Sequence, residues 1–316
     1  MLKLLNLSRL PALGLLSLSL VVSFASAAPA GAGTDAEAAG LAIFPATLTS
    51  LTRNIPASLS QALTGSQFAA QVARLDSRAR EQAILKQVLA GNLPSFLSKL
   101  IPVALSYRQP DGKTHTATIF VMPEYLAIGT DSDFLRIPMN LYTAVAVASR
   151  MGFILPTRKI VNAIYEQSAF HFSPEPMAAG PQMRSTDYYQ THNRKIEEQS
   201  RTLGVTSGAL VSGHKKDVVM TNLLAGNPGK IAIYGWHRLN GAPIQPLSTV
   251  HGACYADYSH GIRLVSETVV VDGKTRSVYD VLLDPVLSKV LSDEGPIPHL
   301  RELMNVSSGD STCGKP

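Results

Sequence analysis

The sequence predicts an α+β protein with a mixed or antiparallel sheet, and helices packed on it mainly from the N-terminal and middle parts of a single mature domain. Two observations lead to this fold class. Apolar residues recur at helical spacing mostly in the middle of the chain, whereas strand-like runs lie mostly on either side. The strict alternation of strand and helix that is typical of a doubly wound sheet is not seen. No shift in composition marks a domain boundary, so residues 41–316 are expected to form one domain.

The first half of this domain begins with helical signals and changes to strand signals. Residues 66–89 carry apolar side chains at three- and four-residue steps, which predicts one helix that ends at Gly91. Pro94 precedes a short helix at 97–101. A Pro-Asp-Gly turn between two strand-like runs then predicts a hairpin. The predicted strands are 103–107 and 116–121 in the hairpin, followed by 125–128 and 134–137.

The second half returns to helices and closes with strands. A helix at 141–151 is closed by Gly152, and a helix at 156–167 has Pro156 at an early position, where a missing N–H is tolerated. Thr186 and Asp187 cap a third helix that continues to Arg201. Further strands are predicted at 209–212, 217–221, 230–234, 262–271 and 277–279, before a closing helix at 284–291.

The first 27 residues have the pattern of a secretory signal peptide. Lys3 and Arg9 supply its positive charge, 10–24 form an apolar run, and 25–27 read Ala-Ser-Ala. A run of about 15 residues is shorter than the roughly 20 that span a bilayer, which disfavours a retained anchor. The Ala- and Gly-rich segment 28–40 is expected to be a flexible leader. We therefore expect a secreted or periplasmic protein with no integral membrane segment after cleavage.

The composition excludes several other classes of protein. A chain that is 45% hydrophobic and 16% charged is too apolar for an intrinsically disordered protein, and two cysteines are too few for a disulfide-dense scaffold. Removing residues 1–27 lowers the formal net charge from +5 to +3, and no block of Lys and Arg follows. Nucleic acid is therefore not an expected partner.

Histidines are concentrated in one part of the chain. Four of the eight fall within 47 consecutive residues, in loops that Gly and Pro punctuate between strand-like runs. Such loops commonly carry functional side chains because a rigid sheet positions them. The predicted catalytic set is His214, Asp217, His237, His251, Asp257, His260 and Arg263. The predicted substrate-binding set is Trp236, Arg238, Tyr255, Tyr258 and Ser259.

These residue types suit general acid–base chemistry. A neutral imidazole can take or give a proton near its ordinary pKa of about 6.5. A carboxylate can orient that imidazole, and a guanidinium can neutralise a developing oxyanion. Imidazoles and carboxylates are also common zinc ligands, but the spacings between them match no known zinc motif. The sequence therefore leaves both a metal-dependent and a metal-free site as alternatives.

A serine and a cysteine nucleophile are the alternatives to this site. Residues 257–261 are similar to a nucleophile elbow with Asp257 in place of the first Gly, but the residues that follow Ser259 favour a strand where an elbow needs a helix. Residues 259–264, Ser-His-Gly-Ile-Arg-Leu, are similar to the Ser-His-Gly-Cys-x-Arg signature of L,D-transpeptidases. That resemblance would imply a β-rich fold and peptidoglycan cross-linking by a cysteine thiolate. The position of the family's cysteine is occupied by Ile262, so the family's activity is not carried over.

Cys254 has two alternative roles. Two cysteines in an exported chain commonly pair, so we expect a bridge between Cys254 and Cys313 that ties the C-terminal tail to the site loop. In the other role Cys254 is a free nucleophile, with Gln245 near an oxyanion and His299 or His260 as its base.

The sequence therefore predicts an exported hydrolase that acts on an extracellular or cell-envelope polymer, either a polysaccharide or a peptidoglycan-like polymer. Its site would be the His- and Asp-rich set above. One alternative is a peptidase or transpeptidase-like enzyme that depends on Cys254. Another is a non-catalytic protein that binds carbohydrate or envelope material through the same aromatic and arginine side chains.

Overall fold

A computed structural model describes residues 51, 54–57, 59, 61–304 and 313. The predicted signal peptide and leader lie outside these residues. Within them the predicted α+β class is confirmed, because helices pack around sheets that contain both antiparallel and parallel pairs. The described residues contain no helix that is both long and apolar enough to cross a membrane.

The helices of the described residues lie mostly in the first two thirds of the chain. They are α1 (Gly65–Val72), α2 (Ser77–Leu89), α3 (Leu141–Met151), α4 (Arg158–Gln167), α5 (Thr186–Leu203), α6 (Val278–Leu283), α7 (Ser288–Leu291) and α8 (Leu300–Met304). Short 3₁₀ turns cover Ser95–Ser98, Pro181–Arg184 and Asn222–Leu224.

The strands form two larger sheets and two small ribbons. They are β1 (Ile101–Arg108), β2 (Thr114–Val121), β3 (Ala127–Gly129), β4 (Phe134–Arg136), β5 (Phe153–Ile154), β6 (Phe170–His171), β7 (Val211–Ser212), β8 (Lys216–Val218), β9 (Ile233–His237), β10 (Pro243–Ser248), β11 (His260–Gly261), β12 (Val265–Ser266), β13 (Thr268–Val271) and β14 (Lys274–Ser277). One sheet has the order β14-β13-β2-β12-β5, with β1 also paired to β2, and the other has the order β10-β9-β8-β11.

The predicted hairpin is confirmed and is the longest strand pair described. β1 and β2 pair antiparallel over eight residue pairs, from Ile101 with Val121 to Arg108 with Thr114. Side chains of β1 alternate between exposed and buried along its middle, which places Val103 and Leu105 in the core.

Helix α3 shows how local signals fix an element. The Asn140 side chain accepts a hydrogen bond from the Thr143 N–H at 2.9 Å and so caps the first turn. Gly152 ends the helix in the left-handed region, at φ +76°, which glycine adopts without steric cost. Between these ends the small side chains of the helix are almost all buried. The helix therefore begins and ends where the sequence predicts, at 141 and 151.

Two predicted elements are divided in the structure. The single helix predicted over 66–89 is wrong at its centre, because the Asp76 side chain accepts from the Ala79 N–H at 2.8 Å and starts a second helix. The single strand predicted over 262–271 is also wrong. Residues 262–264 bond to the segment after β2 instead, where Met122 N–H donates to the Leu264 carbonyl at 3.0 Å and Leu126 N–H donates to the Ile262 carbonyl at 2.8 Å.

Candidate active site

The four-stranded sheet separates the predicted site residues. Strand β8 lies between β9 and β11, with Lys216 beside His260 and Asp217 beside Gly261. Successive side chains of a strand point to opposite faces, so Lys216 and Asp217 serve two different environments. A Cβ atom on Gly261 would lie 2.7 Å from the Tyr125 ring, so only glycine allows Tyr125 to pack against β11 on the Asp217 side.

One group of residues faces solvent, and we call it the His251 cluster; it contains six of the predicted site residues together with Lys216. Lys216, His251 and Tyr255 are half-buried, whereas the other members are buried behind them. Its members are Lys216, Trp236, His251, Tyr255, Asp257, Ser259 and His260.

The loop before β11 holds most of this cluster. The His251 and Tyr255 rings stack with centroids 4.2 Å apart and planes 8° from parallel. The Tyr255 O–H donates to Asp257 Oδ2 at 2.9 Å. Asp257 Oδ1 accepts from the Ser259 N–H at 2.8 Å and from the Ser259 O–H at 2.6 Å. Asp257 therefore fixes the ring on which His251 rests, and the Ser259 hydroxyl is occupied.

Burial and charge set the protonation states in this loop. Burial lowers the pKa of His251, against the pull of the Asp257 carboxylate, so the imidazole is neutral at pH 7. Burial alone would raise the pKa of Asp257, but the nearby His260 and the hydrogen bonds from Ser259 outweigh it and hold the pKa below its usual value. Asp257 is therefore a carboxylate at pH 7.

His260 lies behind His251 and is 1% exposed. Its ring centroid is 6.3 Å from that of His251 and 5.7 Å from that of Tyr255. Neither ring nitrogen has a hydrogen-bond partner among the described residues. Burial lowers the pKa of His260 to about 4, although Asp257 opposes the shift. A buried imidazole without partners is rare, and His192 is the other example among the described residues.

Trp236 and Lys216 form the other side of the cluster. The Lys216 ammonium lies 5.1 Å from the centroid of the Trp236 ring, which is within cation–π range. Trp236 has φ +55°, a region that is strained for a bulky residue, and its indole N–H is buried without a partner. Tyr258 is buried next to Trp236, with its hydroxyl bound to the backbone of Met177. Backbone strain of this kind concentrates at functional sites.

The second group, which we call the Glu124 cluster, lies on the Asp217 side of β8 and is almost wholly buried. Its members are Glu124, Tyr125, Arg136, His214, Asp217 and Arg263. Glu124 Oε2 accepts from Arg136 Nε at 2.8 Å, while Oε1 is 2.8 Å from His214 Nε2 and accepts from the Tyr125 backbone N–H at 2.7 Å. The carboxylate therefore has three partners. Burial alone would raise its pKa, yet Arg136 and His214 hold the pKa far below its usual value.

Arg263 and Asp217 complete this cluster. The Arg263 guanidinium donates to the carbonyls of Met122 and Val211 at 3.0 and 2.6 Å and lies 4.2 Å from the centroid of the Tyr125 ring. Asp217 Oδ2 accepts from the Tyr125 O–H at 2.8 Å. Burial raises the pKa of Asp217 to about 7, against Arg263 and this hydrogen bond, which lower it. Arg263 and Asp217, both predicted to be catalytic, are thus buried and hydrogen-bonded to other parts of the protein.

His237 belongs to a third group, beside α4. Its ring stacks on Tyr165 at 4.6 Å, and its Nε2 is 3.2 Å from Asn162 Oδ1. Burial lowers its pKa to about 4, and the neighbouring His171 adds to the shift. Arg238 follows it with an exposed side chain, and its backbone carbonyl accepts from the Tyr165 O–H at 2.7 Å. The predicted set therefore divides among three places and does not form one site.

Sequence reasoning missed Glu124, which organises the buried cluster, and Lys216, which lines the open one. Glu124 stands alone between strand-like runs, so no local pattern marks it. Lys215, the neighbour of Lys216, is 1% exposed and donates from Nζ to the Tyr258 carbonyl at 2.5 Å. Knowledge of the bounds of β8 would have placed Lys216 and Asp217 on opposite faces of the sheet, because side chains alternate along a strand.

The predicted disulfide is confirmed, since Cys254 and Cys313 are bonded with Cα atoms 5.4 Å apart. Cys254 therefore carries no free thiol in this structure that could act as a nucleophile. The bridge anchors the loop that holds His251, Tyr255 and Asp257. Within the described residues, no group of three or more His, Cys, Asp or Glu side chains is placed to hold a metal ion.

No protein-family model, curated protein sequence or solved structure matches this chain. The class of protein is therefore defined by its own fold and site. It is an α+β domain in which one face of a small sheet carries a half-open cluster of imidazole, phenol, ammonium and carboxylate groups.

Proposed function

We propose that the protein is an exported hydrolase of an extracellular or cell-envelope polymer and that His251 is its general base. One observation carries the proposal. Within the described residues, the His251 cluster is where predicted imidazole and carboxylate groups meet at a face that solvent reaches. A neutral, half-buried imidazole can accept a proton from water as the water oxygen bonds to the electrophilic atom of the substrate, and the imidazolium can pass that proton to the group that leaves when the substrate bond breaks.

The neighbours of His251 have supporting roles in this proposal. Tyr255 and Asp257 are positioning residues, because the phenol bound to the carboxylate holds the ring against which His251 stacks. The Asp257 carboxylate also stabilises the imidazolium that forms when His251 takes the proton. Lys216 supplies positive charge for an anionic transition state. His260 is the second imidazole, with two nitrogens available for a bound water or substrate group.

Export is part of the same proposal. The signal-peptide pattern of residues 1–27 favours secretion or a periplasmic location. The disulfide favours it independently, because such bridges persist in oxidising compartments.

The test is turnover by the mature protein on purified peptidoglycan and on neutral and acidic polysaccharides, with new reducing ends and new amino groups as readouts. His251→Asn should lower turnover by roughly 10²- to 10⁴-fold, since it removes the base and leaves a half-buried position of similar polarity. The melting temperature should change little. His299→Asn is the control, because His299 is 52% exposed and lies outside the cluster. Wild-type turnover in His251→Asn would contradict the proposal.

A non-catalytic carbohydrate-binding function is the second candidate. Asp257 is the single carboxylate of the His251 cluster, and both of its oxygens already accept hydrogen bonds. The pair of carboxylates that most glycosidases use is therefore not built there. Retention of a polymer by the wild-type protein, with no new reducing ends or amino groups, would support this candidate and overturn the hydrolase.

A further inference from the structure

Three cations surround the His251–Tyr255 stack. Lys230 pairs with Gly252, the neighbour of His251, and Lys216 pairs in register with His260. Both cations disfavour the protonated form of His251. The Arg184 guanidinium carbon lies 5.5 Å from the centroid of the Tyr255 ring. The electrostatic potential at the solvent-facing edge of the cluster, which we call its mouth, is therefore positive, although the Asp257 carboxylate is buried behind it.

None of these cations has an acidic partner among the described residues. No carboxylate oxygen lies within 4.0 Å of Lys216 Nζ, Lys230 Nζ or the Arg184 guanidinium in that part of the chain. Lys230 donates to the Val250 carbonyl at 3.1 Å, and Arg184 donates to the Ser77 hydroxyl at 3.2 Å. Their hydrogen-bond partners are thus neutral.

Lys216 is the cation of the three whose ammonium is partly desolvated and lacks an acidic partner among the described residues. It is half-buried, and burial lowers its pKa although the Asp257 carboxylate opposes the shift. A partly desolvated ammonium gains free energy when an anion binds to it, because charge-assisted hydrogen bonds replace lost hydration.

His260 is an independent sign of a ligand at the same place. It is 1% exposed, pairs in register with Lys216 across β8 and β11, and has two nitrogens without partners. A buried imidazole without a hydrogen-bond partner, next to an ammonium without an acidic partner among the described residues, offers a hydrogen bond and a charge together. An oxyanion with several lone pairs could satisfy both groups.

We propose that the His251 cluster binds the oxyanion group of an anionic extracellular or cell-envelope polymer, either a carboxylate or a phosphodiester, and that Lys216 contacts it. Arg184 and Lys230 add positive potential at the mouth. This inference rests on the proposed function for the identity of the polymer, but binding is measured without turnover.

The experiment is titration calorimetry of the mature protein with polygalacturonate oligomers and with their fully methyl-esterified counterparts, which differ in charge and share a backbone. A poly(glycerol phosphate) is the third ligand. The protein's single tryptophan, Trp236, locates binding by its fluorescence, since it lies under Lys216. The acidic oligomer should bind at least tenfold more tightly than the ester, and the preference should shrink in 0.5 M salt. Tighter binding of the phosphate polymer would assign the oxyanion to phosphate.

Lys216→Met should reduce the preference for the acidic ligand at least fivefold. Lys274→Met is the matched control, because Lys274 is exposed on β14 and its loss changes the net charge equally. Arg184→Gln, at an exposed position, should reduce the preference about twofold and serves if Lys216→Met does not fold. Equal affinity for the acid and its ester, or an unchanged preference in Lys216→Met, would overturn the inference. Acid-selective binding with no cleavage of any polymer would uphold it and reject the hydrolase.

Discussion

The His251 and Glu124 clusters lie on opposite sides of one strand and begin at adjacent residues, Lys216 and Asp217. In the Glu124 cluster, the carboxylate of Glu124 is bound by a guanidinium, an imidazole and a backbone N–H. In the His251 cluster, Lys216 has no acidic partner and the His260 imidazole has no hydrogen-bond partner, as far as the described residues show.

This difference separates two uses of polar residues. A buried charge whose hydrogen bonds are all made holds chain segments together. Removing one member of such a group leaves its former partners buried without compensation, which costs a large desolvation free energy. A polar group that is buried without a partner costs free energy in the empty protein, and a ligand can recover that cost. The two clusters should therefore respond oppositely to substitution, with stability lost in one and binding or turnover lost in the other.

The largest expected effect on stability is that of Glu124→Ala. It leaves the guanidinium of Arg136 and the imidazole of His214 without their central partner, so the free energy of unfolding should fall by roughly 3 to 5 kcal/mol. Urea unfolding measures this change. The control is Glu175→Ala, which breaks a more exposed pair with Lys195 and should cost less than about 1 kcal/mol. An equal loss of unfolding free energy in the two variants would show that the Glu124 cluster is no more important for stability than an exposed ion pair.

Removal of the disulfide should have the next effect. The bridge joins residues that are 59 positions apart, so replacing both cysteines, Cys254→Ser with Cys313→Ser, should lower the free energy of unfolding by about 2 to 4 kcal/mol. Because Cys254 lies in the His251 loop, turnover should also fall severalfold at temperatures where the protein stays folded. Full turnover in the folded double variant would show that the loop keeps its geometry without the bridge.

Asp217 should make the Glu124 side sensitive to pH. Its pKa is raised to about 7 in the folded protein, above its ordinary value, so the protonated form is favoured by folding. This contribution is fully present below about pH 4 and is lost as the pH rises through 7. The side chain in Asp217→Asn does not titrate, so the stability of this variant relative to the wild type should improve by roughly 2 to 4 kcal/mol between pH 4 and pH 8. Urea unfolding across that range checks it, and a constant difference would contradict the assignment.

The smallest expected effect on stability is that of Tyr255→Phe. It removes the hydrogen bond to Asp257 and keeps the ring that stacks on His251, so the cost should be about 1 kcal/mol. Turnover should fall about tenfold or less, with its pH profile shifted, because the positioning of His251 is loosened. Tyr107→Phe, on the hairpin strand β1, is the control. An unchanged rate and profile would mean that Tyr255 acts only by packing.

Much of the fold could be predicted because its signals are local. Gly152 ends α3 as expected, and the Pro-Asp-Gly turn joins the hairpin strands as expected. Two of the exceptions have the same cause. Asp76 caps a new helix inside an apolar pattern that continues past it, and residues 262–264 leave the strand pattern to bond with a distant segment. Periodicity does not show where a competing hydrogen bond will prevail.

The sequence by itself determined that imidazoles concentrate within 214–260 and that two cysteines are available to pair. Only the tertiary structure decided that His214 meets Glu124, 90 residues away, while His251 rests on Tyr255 at the surface. The physical reason is that consecutive side chains of a strand point to opposite faces and that ion pairs depend on which segments pack there. Residues adjacent in the chain can therefore serve structure on one side of a sheet and a ligand on the other.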